Sequence, residues 1–339
     1  MNIDSNRLPE PILVTGALGF IGQRLIERLL QDNYSVIAFL RPHHILPTEW
    51  QGKVQLFRGD ITRKDDIESA VAQAKTVFHL VAIVSDWGAA ETHHNITVEG
   101  TRFLLQAVVK HHVRLILASS ITVYGDRINQ GMCHESMDHG QPLGAYSASK
   151  QAQENLARDL IGPATDIRIV RPANIYGAGS RPWVDDLSAE LKKHTPVLIN
   201  QGNFDAGLVH VDNVIDLFML VASLPQAKGE IYNVCDMEGI TWQRYINALA
   251  NIIDAPKPRS IPKWLAQRLA GMMEFVWRHF HLKGRPPLTH EALNLIGSQH
   301  QISMIKATSE LDYHPKVMFD EGMQDVANYI KTQQTRSHL

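Results

Sequence analysis

Short apolar runs rich in β-branched residues alternate with longer stretches whose apolar residues recur every three or four positions, and this rhythm fills the first half of the chain. "ILVTG" reads as a strand, and in "FIGQRLIERLLQ" the residues Ile21, Leu25, Ile26 and Leu29 share one helical face. "SVIAFL" and "VQLFRGD" then read as strands, "DDIESAVAQA" as a helix, "TVFHLVA" as a strand and "VEGTRFLLQAVVKH" as a helix. "RLILASS" follows as a strand, "GAYSASKQAQENLA" as a helix and "DIRIVRPANIYG" as a strand. Regular alternation of this kind predicts an α/β fold with a doubly wound parallel sheet covered by helices on both faces. Its ligand site is expected outside the carboxyl ends of the strands.

From about residue 178 the rhythm breaks. "RPW", "DAPKPRSIP" and "KGRPPLT" read as loops and caps of a smaller, irregular domain, while "LVHVDNVIDLFMLVASL" and "EIYNVCD" read as returns to the main sheet. The expected division is residues 1–177, with return segments near 205–235, against a discontinuous second domain within 178–339. In "PKWLAQRLAGMMEFVWRHFHLK" the residues Leu265, Leu269, Met272, Val276 and Phe280 recur at helical spacing between basic flanks. That stripe is expected to pack into a core or cover a substrate cavity, with peripheral membrane contact through 264–280 as the alternative.

Composition narrows the function. A chain of 339 residues with 44% hydrophobic and 20% charged residues can bury a proper core. Lys plus Arg at 33 against Asp plus Glu at 35 leaves no basic surplus for nucleic-acid phosphates. Cys133 and Cys235 stand far apart without a CxxC, so two reduced thiols are expected. The polar start "MNIDSNRLPEP" has no apolar signal core, and no apolar run reaches membrane-spanning length, so the expected location is the cytoplasm. Seventeen histidines, several doubled, do not join a carboxylate or cysteine cluster, and "HEALN" from His290 has Asn294 where a zinc-protease helix needs its second histidine. No metal is expected.

"VTGALGFIG" places Gly16, Gly19 and Gly22 between the first strand and the first helix. Glycines there permit a tight turn and close approach of a pyrophosphate to the helix N-terminus, whose free N–H groups and dipole attract anions. No GxxxxGK[ST] accompanies them, so a dinucleotide is expected rather than a nucleoside triphosphate. About 20 positions on, Leu40 and Arg41 stand where an acidic residue would hold a ribose 2′-hydroxyl. Arg41 suits a 2′-phosphate, which favours NADP over NAD; a solvated surface charge, or stacking on adenine without selection, is its other reading. Asp60 is expected either to accept from the adenine amino group or to cap the following helix.

The motifs "TGALGFIG", "GD" at Gly59, "HLVA" at His79, "VEGT" at Val98, "SSITVYG" at Ser119, "YSASK" at Tyr146, "RPANIYG" at Arg171 and "HVDNV" at His210 occur together and in order. As a set they resemble the extended short-chain dehydrogenases/reductases, of NAD-dependent epimerase/dehydratase type. "VSDWG", "PPLT" and "SELDYHP" look more like the 3β-hydroxysteroid dehydrogenase-like branch. The resemblance implies a Rossmann-type sheet, with Tyr146 as general acid/base, Lys150 on the nicotinamide ribose lowering the tyrosine's pKa, and Ser120 on the substrate oxygen. It further implies Phe20, Ile21, Ile61, Ala82, Thr97, Pro172 and Asn174 around the cofactor beside the three glycines, Arg41 and Asp60. Ser85, Thr122, Asn174, Arg181, Trp183 and His210 are the expected substrate-side residues, Trp183 and His210 being equally suited to packing. Thr97 and Val81 depart from the family's usual asparagine and alanine. A homodimer is also implied.

Tyr146 and Lys150 lie four apart, on one helical face. Bringing a phenol from a pKa of ~10 to ~7 needs on the order of 4 kcal/mol of phenolate stabilisation. A nearby ammonium in a partly dry site supplies much of that. The expected activity is hydride transfer between NAD(P) and a secondary alcohol or ketone, sterol-like or otherwise apolar. The alternatives are a nucleotide-sugar epimerase or dehydratase that returns the hydride, with Arg181 meeting a diphosphate, and a cofactor-sensing binding protein without turnover.

Overall fold

The computed structural model describes residues 7–337; the first six residues of the polar start and the last two of the chain lie outside them. The first half runs β1 (Ile12–Thr15), α1 (Phe20–Gln31), β2 (Val36–Leu40), β3 (Gln55–Arg58), α2 (Lys64–Val71), β4 (Thr76–His79), α3 (Ala90–His93), α4 (Gly100–His111), β5 (Arg114–Ala118), α5 (Ala145–Arg158) and β6 (Ile167–Pro172). Then come β7 (Asn174–Tyr176), α6 (Asp186–Lys192), β8 (Pro196–Ile199), β9 (Leu208–His210), α7 (Val211–Ser223), β10 (Ile231–Val234), α8 (Trp242–Ile252) and β11 (Arg259–Ile261). The chain closes with α9 (Lys263–His279), α10 (His290–Ile296), α11 (Ile305–Leu311) and α12 (Phe319–Ser337).

Seven parallel strands form one sheet in the order β10-β6-β5-β4-β1-β2-β3. Alternate residues of each strand enter two different cores. Ile12, Val14, Ala38, Phe78 and Ile116 pack with α1 and α7, whereas Leu13, Ile37, Val77, Leu115 and Leu117 pack with α2 and α4. Burial on both faces is why these strands read as continuous apolar runs. The order reverses between β1 and β4, so the crevice at their carboxyl ends is the topological switch point, where ligands of such sheets sit.

The expected single strand "DIRIVRPANIYG" divides at Ala173. Pro172 has no N–H to continue the ladder, the Ala173 N–H still donates to Val234, and the Asn174 N–H donates instead to Gly207. The chain thus leaves β10 and pairs β7 with β9 in a separate two-stranded sheet. Of the two return segments, β10 joins the main sheet, while α7 covers its α1 face. The segment "DAPKPRSIP", expected as loop, contains β11, which pairs in parallel with β8. A third core, built from Tyr176, Val184, Leu198, Trp242, Tyr245 and Phe319, fills the smaller lobe.

The stripe expected to bury one face of the helix at 264–280 packs differently. Ala266 and Ala270 are the residues α9 buries, against Ile199 and Leu293, and Met272 and Phe280 are exposed.

Candidate active site

Gly16 takes φ +70°, a conformation L side chains avoid, and its added Cβ would also press on the Leu80 carbonyl carbon at 3.1 Å. A Cβ on Gly22 would collide with the Gly16 carbonyl oxygen. These two positions fold the turn tightly against the end of β4. Helix α1 then begins at Phe20 with Gly19 as its N-cap, no capping side chain and no acidic residue in its first turn. Its positive end is left to an external anion. The turn, the open helix end and its place at the switch point fit a dinucleotide pyrophosphate.

Behind this turn a buried hydrogen-bond chain crosses the sheet ends. The Thr101 hydroxyl gives its one hydrogen to the Thr97 carbonyl at 2.6 Å. His79 must therefore donate from Nε2 to Thr101 (2.9 Å) and accept at Nδ1 from Thr15 (2.8 Å). Burial, reinforced by Lys150, pushes the His79 imidazole down to about 3, which keeps it neutral for this dual role. Gln153 donates to Thr101 at 2.8 Å and accepts from Lys150 Nζ at 2.8 Å. The glycine-turn strand is thus tied through four side chains to Lys150.

Lys150 Nζ also donates to the Ala118 carbonyl at 2.7 Å, and the side chain is 3% exposed. Burial pushes its pKa down to about 7, opposed by Glu154. Burial likewise pushes the Tyr146 phenol up, to about 12, with Glu291 adding to the rise and a hydrogen bond with Ser120 opposing it. The acidification of Tyr146 expected from Lys150 is not seen in this arrangement: loss of water around the phenolate sets the direction, and Lys150, whose Nζ is held by Ala118 and Gln153, is not among the groups acting on the phenol.

The two serines after β5 have separate duties. Ser119 donates to Glu154 at 2.5 Å, and Glu154 is also held by Arg171 through Nε (3.0 Å) and Nη2 (2.5 Å), both residues being fully buried. Burial alone would raise Glu154, but His139, Arg171 and Ser119 hold it down at about 2. Arg171 continues to Tyr124, whose hydroxyl donates to Asn233 at 2.7 Å. This network fixes α5 on β6 and β10. Ser120 is left to face Tyr146 and to accept from the Thr122 N–H at 3.2 Å.

The model of the NAD dependent epimerase/dehydratase family matches residues 12–235. The chain belongs to that family. It is 28% identical over 322 residues to the 2-alkyl-3-oxoalkanoate reductase of Stenotrophomonas maltophilia strain K279a, covering 92% of this chain and 97% of the relative. It is 27% identical to the 3-beta-hydroxysteroid dehydrogenase of Mycolicibacterium neoaurum, covering 94% and 90%. Among solved structures, DesIV (dTDP-glucose 4,6-dehydratase) of Streptomyces venezuelae, with NAD and TYD bound, superposes with a TM-score of 0.76 at 22% identity, over 96% of this chain and 98% of that one. The last likeness is one of fold.

In this family member the remaining expected site residues divide by position. Phe20 and Ile21 open α1, and Ala82 follows β4 near the glycine turn. Arg41 is exposed just past β2 and acts electrostatically on Asp60. The Asp60 carboxylate accepts from the Thr62 N–H and hydroxyl, which hold its pKa below the usual range; α2 instead begins after Arg63, so Asp60 is not its cap. Ile61 is buried under Gly100. Thr97, in a π-helical stretch that links α3 to α4, accepts from the Ile83 N–H at 3.1 Å and holds the loop after β4.

On the substrate side, Ser85 braces its own loop by donating to the Trp87 carbonyl, and Pro172 with Asn174 forms the switch between sheets, the Asn174 amide donating to Ala206. Arg181 is 85% exposed and lies 3.7 Å from Asp186. Trp183 packs on Trp242 in the small-lobe core, and His210 caps α7 by accepting from the Asp212 N–H while meeting the Tyr176 ring edge to face. Trp183 and His210 are thus engaged in packing, Arg181 is open to solvent, and Thr122 lines a small cavity at the start of α5.

That cavity, about 10 Å³, is bounded by Thr122, Leu143, Ser147, Glu291 and Leu295. Thr122 Oγ1 and Glu291 Oε2 are buried there without a hydrogen-bond partner among the described residues. Glu291, in "HEALN", is a site residue the sequence motifs do not single out. Thr289 caps α10 and donates to Asp86, and Asp86 receives two further bonds from Arg285, at 2.5 and 2.6 Å. Through these contacts "VSDWG" and "RPPLT" close together and carry Glu291 to the start of α5. The only sequence sign of this is the Thr–x–x turn that starts α10. Among the described residues no cluster of three or more metal-ligating side chains occurs, no helix is long and apolar enough to cross a membrane, and both cysteines are buried and unpaired.

Proposed function

We propose that this chain is an NAD(P)-dependent oxidoreductase that reduces a ketone on an apolar substrate to a secondary alcohol, and reverses the reaction when alcohol is supplied. What supports the reading is that Lys150 Nζ bonds the Ala118 carbonyl at the carboxyl end of β5, while Ser120, two residues on, bonds Tyr146 from the same helix α5. A phenol kept protonated at neutral pH is set up as a proton donor. The bound nicotinamide supplies the hydride. Tyr146 gives its proton to the carbonyl oxygen as that oxygen becomes an alkoxide, a far stronger base than phenolate. Ser120 donates a hydrogen bond to the same oxygen where charge develops. Lys150, balanced near neutrality, compensates the phenolate left behind and binds the nicotinamide ribose.

The outward position of Arg181, which a diphosphate would otherwise need, supports an apolar substrate. The printed names of the oxoalkanoate reductase and hydroxysteroid dehydrogenase relatives point the same way. Arg41 at the end of β2 supports NADP over NAD. A homodimer and a cytoplasmic location remain part of the reading. The test follows nicotinamide absorbance at 340 nm with a panel of β-keto acids, sterols and UDP-sugars. Net cofactor oxidation with a ketone supports the reading. Sugar conversion without net absorbance change replaces it with an epimerase or dehydratase, and tight cofactor binding with no turnover replaces it with a binding protein.

A further inference from the structure

Helix α9 turns one apolar stripe outward. Trp264, Met272 and Phe275 are 58%, 55% and 65% exposed, and Phe280, just past the helix, is 63% exposed. Together with Arg268 and His279 the three helical residues follow one another at spacings of three and four, on a single face. The opposite face is already used by Ala266 and Ala270, and no described element covers the outer one. Two large aromatic side chains in water on one helix, with a third just beyond its end, are costly unless something else meets them.

Charge indicates what does. Residues 255–289 carry seven basic side chains, Lys257, Arg259, Lys263, Arg268, Arg278, Lys283 and Arg285, the last of them paired with Asp86, against one carboxylate of their own, Glu274. The whole chain has a formal net charge of −2, so the rest of the molecule is acidic and this segment stands apart from it. The single carboxylate points inward, accepting from the His290 N–H at 2.7 Å. Arg268 lies over Trp264 at 5.4 Å to the ring centroid, a cation beside an exposed aromatic.

From the stripe and its charge we infer that α9 is a peripheral docking surface for an anionic phospholipid membrane. Trp264, Met272, Phe275 and Phe280 enter the boundary between headgroups and acyl chains, while Arg259, Arg268 and Lys283 meet the lipid phosphates. The helix lies in the plane of the interface and does not cross it. Arg278, over the Trp87 ring at 5.2 Å, ties this surface to the loop of Asp86 at the rim of the candidate site. Docking would therefore present that rim to the lipid. The inference stands apart from the redox reading, since vesicle binding is measured without turnover.

The test is sedimentation of the full chain with vesicles of equimolar phosphatidylglycerol and phosphatidylcholine, and with phosphatidylcholine alone. Strong binding to the anionic vesicles, weakened by added salt and by omission of phosphatidylglycerol, is expected. A triple variant, Trp264→Ala, Phe275→Ala and Phe280→Ala, should lose on the order of tenfold in partitioning per aromatic removed, with unchanged melting temperature and cofactor binding. A second variant, Arg259→Glu with Lys283→Glu, should keep its fold and lose the preference for phosphatidylglycerol. Failure of the wild type to sediment with anionic vesicles, or equal binding by the triple variant, overturns the inference. So does a wild-type oligomer that the triple variant dissociates, because the stripe would then be an interface between copies of the chain.

Discussion

Glu291 Oε1 accepts the backbone N–H of Ser147 at 2.7 Å, so a residue of the C-terminal lobe caps the helix that carries Tyr146 and Lys150. The N-cap position itself is Gly144, which has no side chain to do so, and a Cβ there would collide with Glu291 Oε2. A carboxylate at this end of α5 meets free N–H groups and the positive end of the helix dipole. Burial nevertheless dominates and pushes Glu291 up to about 7, with the Ser147 N–H opposing and Asp86 adding to the rise.

Glu291 thus binds a proton in the folded state between its ordinary pKa near 4.5 and about 7. The folded state holds more protons than the unfolded one in that window, so this group's contribution to stability is complete below pH 4.5 and falls as pH rises toward 7. In Glu291→Gln, which keeps the acceptor for Ser147, the drop in melting temperature between pH 5 and pH 8 should shrink. A variant with the wild-type drop would show that another group sets it.

Tyr146→Phe removes the donated proton and keeps the ring. Turnover should fall by about 10²–10⁴-fold, while cofactor affinity measured by fluorescence titration stays within about twofold. Residual turnover close to wild type would remove Tyr146 from its assigned role.

Glu154→Leu leaves Arg171 buried and unpaired. Urea denaturation should show a loss of about 3–5 kcal/mol. Glu154→Leu combined with Arg171→Met should recover part of that loss, since an apolar pair of similar volume does not strand a charge.

Gly22→Ala places a methyl against the Gly16 carbonyl oxygen. It should destabilise the fold by about 1–3 kcal/mol and weaken dinucleotide binding more than tenfold, read by calorimetry. Unchanged affinity would place the dinucleotide elsewhere.

Arg41→Ala should weaken NADP by about tenfold and leave NAD unaffected, because only the former has a 2′-phosphate for the guanidinium. Equal loss of both would make Arg41 a stacking partner for adenine; loss of neither would make it a surface charge.

The order of strands and helices through β6 is legible in the sequence because each element carries its own period, and the parallel strands are buried on both faces and so read as apolar runs. The glycine turn and the placing of Tyr146 and Lys150 one turn apart on α5 are legible for the same reason, since both follow from spacings within a few residues. Other features depend on partners brought together only by the fold. The exchange of ladder partners after Pro172 needs β9 and β10 in place, and the clasp of Asp86 with Arg285 and Thr289 brings Glu291 to an N-cap that glycine leaves empty. The division of labour between Ser119 and Ser120 is invisible until Glu154 and Arg171 are packed beneath one of them. The direction of the Tyr146 shift was likewise decided by tertiary structure, since helical spacing sets which groups are neighbours but only packing sets how much water surrounds them. For α9 the spacing in the sequence pointed to a stripe through Met272 and Phe280 as the packed side, but the fit of Ala266 and Ala270 against Ile199 and Leu293 decided which side faces in and left those two exposed.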